Sequence, residues 1–452
     1  MTGQKTSTTL GTEKIGKLLM QYAIPAIIAM TASSLYNMVD SIFIGNGVGS
    51  MAISGLALTF PLMNLAAAFG SLVGVGAATL ISVRLGQKDY DTAQRILGNV
   101  LVLNIIIGIA FSVVTLLFLD PILYFFGASE QTIGYARSYM QVILLGNVVT
   151  HLYLGLNATL RSSGHPQKAM YATIATVLIN TALDPLFIFG FGWGIQGAAI
   201  ATVMAQVIAL IWQFKLFNNK NELLHFHRGI FRLKRKIVVD SLAIGMSPFL
   251  MNLASCFIVI LINQGLKKYG GDLAIGAFGI VNRLIFLFAM IVMGLNQGMQ
   301  PIAGYNYGAQ LYPRVTRVLK LTIYGATIVT TTGFLLGMFM PELAASIFTP
   351  DTELIRMSSQ GLRIVTLFFP IVGFQMVTSN FFQSIGMAGK AIFLSLTRQL
   401  LFLVPCLLIL PGLFGTMGVW ISMPSADLAA SLVSGFMLWH QFRKFKAMHN
   451  NS

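Results

Sequence analysis

The chain has 452 residues, 56% of them apolar and only 10% charged, with a formal net charge of +15. A soluble domain carries about 25% charged residues, so this composition cannot clothe a chain of such length in water, and lipid must be its main solvent. So large a basic excess would suggest nucleic acid in a soluble protein; here the placement of the charges speaks for membrane topology instead.

Runs of roughly 20 apolar residues, the length that crosses the hydrocarbon, lie near 18–44, 52–82, 96–118, 133–159, 169–191, 195–216, 237–264, 273–301, 318–340, 354–384, 391–411 and 415–441. The first run is too long for a secretory signal and has no small-residue cleavage site. With both termini placed in the cytoplasm, 22 of the 29 basic residues fall on inside segments, whereas the outside loops hold only Lys267 and Lys268. That bias is what the positive-inside rule requires, and shifting the count by one span would destroy it. The expectation is an all-α, multi-pass protein of the plasma (inner) membrane with both termini cytoplasmic and no nucleic-acid partner. Cys256 and Cys406 lie in apolar runs, which argues against a disulfide framework.

The two halves resemble each other at an offset of about 222. Gly86 to Tyr90 and Arg95-Ile-Leu97 align with Gly308 to Tyr312 and Arg317-Val-Leu319, and Phe126 aligns with Phe348. Gly164, Lys168 and Ala169 align with Gly386, Lys390 and Ala391, and Ile24-Pro25 meets Ser247-Pro248 at an offset of 223. An even number of helices per half makes parallel repeats of six. The expected organisation is therefore twelve transmembrane helices in two pseudo-symmetric six-helix bundles, 1–217 and 237–452, joined by a basic cytoplasmic linker over 218–236. That linker interleaves Leu223, Leu224, Phe226, Ile230, Phe231 and Leu233 with its charges. It reads equally as an interfacial helix on the anionic leaflet or as a solvated loop. Duplicated bundles suit a transporter, and no filter or charged ring of a channel is visible.

Only Asp40, Asp184 and Asp427 place carboxylates well inside spans, where a charge costs about 2.5–3.5 kcal/mol on insertion scales. Tyr36 and Asn37 stand one turn before Asp40. Asn180 stands one turn before Asp184, and Pro185 frees the carbonyl of Thr181 from helix bonding. Asp40 is about 8 Å below the end of its helix and Asp184 about 12 Å below the Gly192-Trp193-Gly194 turn, at 1.5 Å per residue. Thr202 and Tyr139 fall at similar depths, so all four can share one layer of the first bundle. Burial disfavours an ionised carboxylate, which makes Asp40 and Asp184 candidates for holding and releasing a proton, whereas Asp427 stays undecided between a functional group and a polar helix contact. Arg137, Arg283, Arg363 and Arg398 are expected to snorkel or to pair with carbonyls, and His151 to be a satisfied interior histidine. Met38, Met63, Met290 and Met293 suit an adaptable apolar pocket, with Tyr36 and Asn37 as polar lining. His225 and His227 lack a third metal ligand nearby, and no motif points to an ATPase or a nucleophilic hydrolase.

Tyr36-Asn-Met-Val-Asp40-Ser-Ile-Phe-Ile-Gly45, Gly164-His-Pro166, Asn180 to Pro185, Gly194-Ile-Gln-Gly197-Ala-Ala and Pro301-Ile-Ala-Gly-Tyr-Asn306-Tyr-Gly308 together resemble the multidrug and toxic compound extrusion (MATE) transporters over nearly the whole chain. The resemblance implies two six-helix lobes, alternating access, and export of cationic or amphipathic small-molecule drugs against H⁺ or Na⁺. Within the family the chain is similar to the branch with coupling carboxylates in the N-terminal lobe. By that likeness Asp40 is the protonation switch, Asn180, Asp184 and Thr202 line the cation or proton site with Tyr139 as a partner, and the first helix bends at Pro25. The one metal ion this would admit is Na⁺ at Asp184. Another branch uses a glutamate in the seventh helix, but Ser247 to Gln264 contains no acidic residue.

The sequence thus supports a secondary active multidrug exporter that is not an enzyme, needs no cofactor, and meets drugs or organic cations, H⁺ or Na⁺ and membrane lipid. The nearest rival is a lipid-linked oligosaccharide flippase of the same wider superfamily, which would need a strongly cationic cleft for pyrophosphate. A membrane-embedded lipid enzyme would need a His/carboxylate or metal cluster, and the sequence offers none.

Overall fold

In lipid a backbone can satisfy its own polar groups only as helices or closed barrels. The structure, a computed structural model describing residues 8–450, is helical and contains no strand among those residues. Ten helices are individually long and apolar enough to cross a membrane: α1 (Ile15–Gly47), α2 (Met51–Gly86), α3 (Tyr90–Leu117), α5 (Pro166–Gly190), α6 (Gly194–Phe217), α7 (Arg235–Gly271), α8 (Leu273–Gly308), α9 (Tyr312–Phe339), α11 (Ala388–Phe414) and α12 (Thr416–Met448). The remaining two spans are broken helices, α4 (Ile133–Leu145 with Asn147–Ser162, bent by 55°) and α10 (Thr352–Val365 with Phe369–Ser384, bent by 58°). All twelve sit where the apolar runs place them.

The two breaks are not legible as such in the runs 133–159 and 354–384. Gly146 caps the first half of α4 by donating its N–H to the Val142 carbonyl, and Val203 presses on it so closely that an added Cβ would lie 2.6 Å from the valine methyls. In α10 the second half starts with Pro370 in its first turn, where a missing N–H costs nothing.

Backbone detail strengthens the internal repeat. Three residues with positive φ recur 222 positions apart: Gly49 and Gly271, Lys88 and Gln310, Gly164 and Gly386. The last halves of α4 and α10, Asn147–Ser162 and Phe369–Ser384, keep the same offset at both ends, as do α3 and α9. Both fifth helices also contain a wide π turn, Leu186–Gly190 in α5 and Thr397–Leu403 in α11, a distortion common at functional sites.

The chain forms two compact units, whose boundaries differ from a simple cut at the linker. One comprises Ile28–Phe249 with the segment ending at Glu13; the other comprises Lys14–Ile27 and the chain from Leu250 onward. Each unit therefore takes in the opening of the other repeat's first helix. In the first unit α7 lies against α2 at glycines, where a Cβ on Gly245 would meet the Leu72 carbonyl oxygen at 1.7 Å and one on Gly76 the Ser241 oxygen at 1.8 Å. In the second unit Gly294 and Gly298 of α8 receive the Ile27 and Ala23 backbones of α1 in the same manner, with Cβ-to-Cα distances of 2.8 and 2.6 Å. Pro25 lies within α1, two residues before the change of unit.

The linker is a largely exposed loop and not an interfacial helix. Residues 218–234 are non-helical and strapped to the first unit by two α3 amides. Gln94 donates to the Leu223 carbonyl at 2.7 Å and accepts from the His225 N–H at 3.1 Å. Asn99 donates to the Arg232 carbonyl at 3.2 Å and accepts from the Lys234 N–H at 3.1 Å. Glu222 lies 3.2 Å from both Lys168 and His165. Burial holds the His165 imidazole below its usual pKa despite Glu222.

Candidate functional site

The first unit brings six polar side chains from four helices into one layer: Tyr36 and Asp40 of α1, Tyr139 of α4, Asn180 and Asp184 of α5, and Thr202 of α6. Asp40 is 5% exposed, Asp184 0%, Asn180 1%, Tyr139 1% and Thr202 9%. Each helix delivers its residues by ordinary periodicity, Tyr36 to Asp40 and Asn180 to Asp184 both being one-turn steps. The Asp40 and Asp184 carboxyl groups adjoin each other, close enough to share a hydrogen bond when one of them is protonated. Tyr139 lies within electrostatic reach of both.

Thr202 organises the donors. Its hydroxyl donates to the Ala198 carbonyl one turn back at 3.1 Å, so its oxygen can only accept from its other neighbours. Asn180 Nδ2 donates to it at 3.2 Å and the Tyr36 hydroxyl at 2.9 Å. Those donors are thereby turned away from the carboxylates. The atoms of the layer left without a hydrogen-bond partner are Asp40 Oδ1, both carboxylate oxygens of Asp184, and Asn180 Oδ1. All four are acceptors. Among the described residues no lysine or arginine pairs with either aspartate. Two adjacent carboxylates cannot both stay ionised in such a place without a counter-charge, and an excess of oxygen acceptors is the donor set that a proton or a hard monovalent cation satisfies. Na⁺ fits the oxygens present, which are those of Asp40, Asn180 and Asp184.

Other sequence candidates fall elsewhere. Asn37 and Met38 are exposed while Asp40 on the same helix is buried, so the structure does not bring them into the layer. Met63 packs at the edge of the same unit's core and accepts a hydrogen bond from the Thr59 hydroxyl at 3.6 Å. Met290 and Met293 belong to the second unit, Met293 being exposed. Asp427 is paired with Arg398, and Arg137 makes a bidentate bridge to Asp120 at 2.7 and 2.9 Å. These two arginines therefore have carboxylate partners, in place of the expected carbonyls or snorkelling. His151 is fully buried with Nε2 at 2.9 Å from the Ala66 carbonyl, so Nε2 carries the proton and donates. No group of three or more histidine, cysteine, aspartate or glutamate side chains placed to hold a metal ion exists among the described residues.

Sequence reading missed the polar residues beneath the layer. Thr150 of α4 donates to Gln206 of α6. Below them Asn157 Nδ2 and the Tyr153 hydroxyl each donate to Thr173 Oγ1 at 3.3 Å, while Thr173 donates to the Ala169 carbonyl at 3.2 Å. This repeats the Tyr36–Thr202–Asn180 arrangement with a second tyrosine, threonine and asparagine. The signal was present in the one-turn spacing of Tyr153, Asn157 and Arg161.

The family model for MatE matches residues 25–186 and 244–408. The multidrug export protein MepA of Staphylococcus haemolyticus is 27% identical over 425 residues, covering 94% of this chain and 93% of that protein. Among solved structures, a ligand complex of the MATE multidrug transporter DinF-BH is 36% identical, with a TM-score of 0.88 over 95% of this chain and 96% of that one. An outward-facing multidrug resistance MATE transporter of the MOP superfamily is 25% identical, with a TM-score of 0.91 over 98% of each chain. The match in sequence covers both repeats, and the match in structure covers the twelve helices in order. This chain belongs to the MATE family of membrane transporters.

Proposed function

We propose that the chain is a secondary active multidrug exporter of the plasma membrane, moving organic cations or amphipathic drugs outward by alternating access against an inward flow of H⁺ or Na⁺. The observation that carries the ion half of this reading is the buried carboxylate pair, three of whose four oxygens have no hydrogen-bond partner and which no lysine or arginine pairs among the described residues. The coupling cation is bound at Asp40 and Asp184, with Asn180 as a further oxygen ligand and Tyr139 as a neighbour; Tyr36 and Thr202 hold the amide in place. When the cation leaves, two negative charges face each other, and the layer must rearrange or take up another cation. Such a layer gives the ion unequal affinity in two conformations, which any coupled transporter needs. The drug half rests on the relatives, which are multidrug exporters, one of them solved with a ligand bound. The flippase reading loses support because Arg137 and Arg398, two of the four arginines available to face a pyrophosphate, are neutralised by aspartates.

Uptake of ethidium into inside-out proteoliposomes, under a pH gradient or a Na⁺ gradient at matched membrane potential, tests the reading. ΔpH-driven uptake that becomes independent of pH in Asp40→Asn is the expected result. A sodium-only response would assign the site to Na⁺ at Asp184, and uptake with neither gradient would overturn antiport.

A further inference from the structure

Below the carboxylate layer the first unit contains a file of polar groups that continues most of the way through the bundle. On α5, Asp184, Asn180, Thr176 and Thr173 fall within an arc of about 80° at 100° per residue. The first tier holds the carboxylates, Tyr36, Asn180 and Thr202. The second is the Thr150–Gln206 hydrogen bond. The third is Tyr153, Asn157 and Thr173, joined by Gln213, whose Nε2 donates to the Tyr153 carbonyl at 3.3 Å and whose Oε1 is buried without a partner. From Asp184 to Thr173 the file spans roughly 16 Å of helix rise, and Arg161 lies one turn further, so it crosses about two-thirds of a 30 Å hydrocarbon layer.

A polar file of this length, ending on a pair of carboxylates, is a route by which water and cations could pass from the site through the unit itself. In a coupled exporter that route would short-circuit the gradient. Arg161 stands at its far end. Its guanidinium donates to Asn157 Oδ1, and among the described residues no carboxylate pairs with it. The arginines that carry partly buried ion pairs, Arg84, Arg137 and Arg398, are each neutralised by an aspartate. A guanidinium keeps its proton at any physiological pH, and a fixed cation within a narrow polar path excludes other cations.

The second repeat supplies an internal comparison at the offset of 222. It has no carboxylate at the position of Asp184, where Cys406 stands, and no guanidinium at the position of Arg161, where Gln383 stands. Its second tier is apolar, Val372 and Leu428 replacing Thr150 and Gln206. The second repeat keeps a polar third tier, the Ser379–Ser395 hydrogen bond at 3.0 Å, but no file links it to a carboxylate pair and no charge stands at its end.

We infer that Arg161 is an insulating residue, a positioned positive charge that closes the polar file below Asp40 and Asp184 to cations and so keeps ions from crossing through the unit itself outside the transport cycle. The inference rests on the proposed coupling role of those carboxylates. At an effective dielectric constant of about 20, a unit cation about 6 Å from the guanidinium would be about a hundredfold less populated than without it.

The test is passive ion leak, measured without drug. Proteoliposomes containing the full-length protein are loaded with a pH-sensitive dye, in parallel with a Na⁺-sensitive dye, and the decay of an imposed gradient is followed with the potential clamped by valinomycin. Arg161→Gln should speed decay by about tenfold or more over the native protein, whereas Arg161→Lys, which keeps the charge, should stay tight. Adding Asp184→Asn to Arg161→Gln should restore tightness by removing the ion's resting place. Arg161→Gln vesicles as tight as native ones, from protein that elutes as a single folded species, would overturn the inference while leaving the coupling site to its own test. Equal leak from the glutamine and lysine variants would also overturn it, because lost packing rather than lost charge would then be responsible.

Discussion

The two repeats share a backbone to the level of individual left-handed residues, yet the same layer differs in its chemistry. At the offset of 222, Tyr139, Asn180, Asp184 and Thr202 of the first repeat correspond to Gly361, Phe402, Cys406 and Pro424 of the second. The space of the Tyr139 ring is taken by Trp420, whose indole would lie 2.7 Å from a Cβ on Gly361; Trp420 itself corresponds to the small Ala198 that receives the Thr202 hydroxyl. Around Trp420 gather Phe278, Leu362, Val419 and Met423 as apolar core. The charged pair that the second repeat does hold, Arg398 with Asp427, is internally neutral. Duplication thus supplied one scaffold twice, and chemistry distinguishes the halves: an uncompensated carboxylate layer in one, a packed hydrophobic layer with a closed ion pair in the other.

The comparison is broken most severely at Asp184. Asp184→Asn should reduce gradient-driven ethidium efflux to the level of protein-free vesicles while leaving the protein folded in detergent, since an amide replaces a group that is buried without partners. Efflux near the native rate would remove Asp184 from the mechanism and, with it, the functional asymmetry of the repeats.

Asp427 should answer in the opposite way. Asp427→Leu leaves the Arg398 charge without its carboxylate and should destabilise the protein by about 3 kcal/mol, the lower part of the usual range because Arg398 keeps 28% side-chain exposure. Paired with Arg398→Met the loss should largely vanish, and transport should persist. Thermal unfolding followed by intrinsic fluorescence reads the first, the ethidium assay the second. A double variant that is stable but inactive would show that the second repeat also carries a working charge.

The smallest expected effect concerns the start of the third helix of each repeat. Asp89 caps α3 by accepting from the Thr92 N–H at 3.2 Å, whereas the corresponding Leu311 of α9 makes no side-chain cap. Asp89→Ala should cost about 1 kcal/mol. Hydrogen bonding to Thr92 holds the Asp89 carboxyl below its usual pKa. Its contribution is therefore present above the ordinary carboxylate value and lost as pH falls through the lowered one. The difference in melting temperature between native and Asp89→Ala protein should shrink correspondingly in acid; an undiminished difference would assign the effect to packing.

Most of the architecture was legible because lipid enforces it. With no water to satisfy the backbone, apolar length, polar punctuation and charge bias settle the number and order of spans, and one offset linked the two halves. The depth of Asp40, Asp184, Tyr139 and Thr202 likewise followed from counting residues from helix ends. The sequence did not contain which faces meet. Asn37 shares a turn with Asp40 but is exposed, and Thr202 gathers donors from residues 22 and 166 positions away. The breaks at Gly146 and before Phe369, the straps that Gln94 and Asn99 place on the linker, and the neutralisation of Asp427 all depend on partners distant in the chain. Local periodicity fixes what a residue can present along its own helix. Whether a buried carboxylate finds an arginine, as Asp427 does, or another carboxylate, as Asp184 does, is decided by helix packing, since a hydrogen bond or ion pair depends on separations of a few ångströms between segments that the sequence keeps far apart.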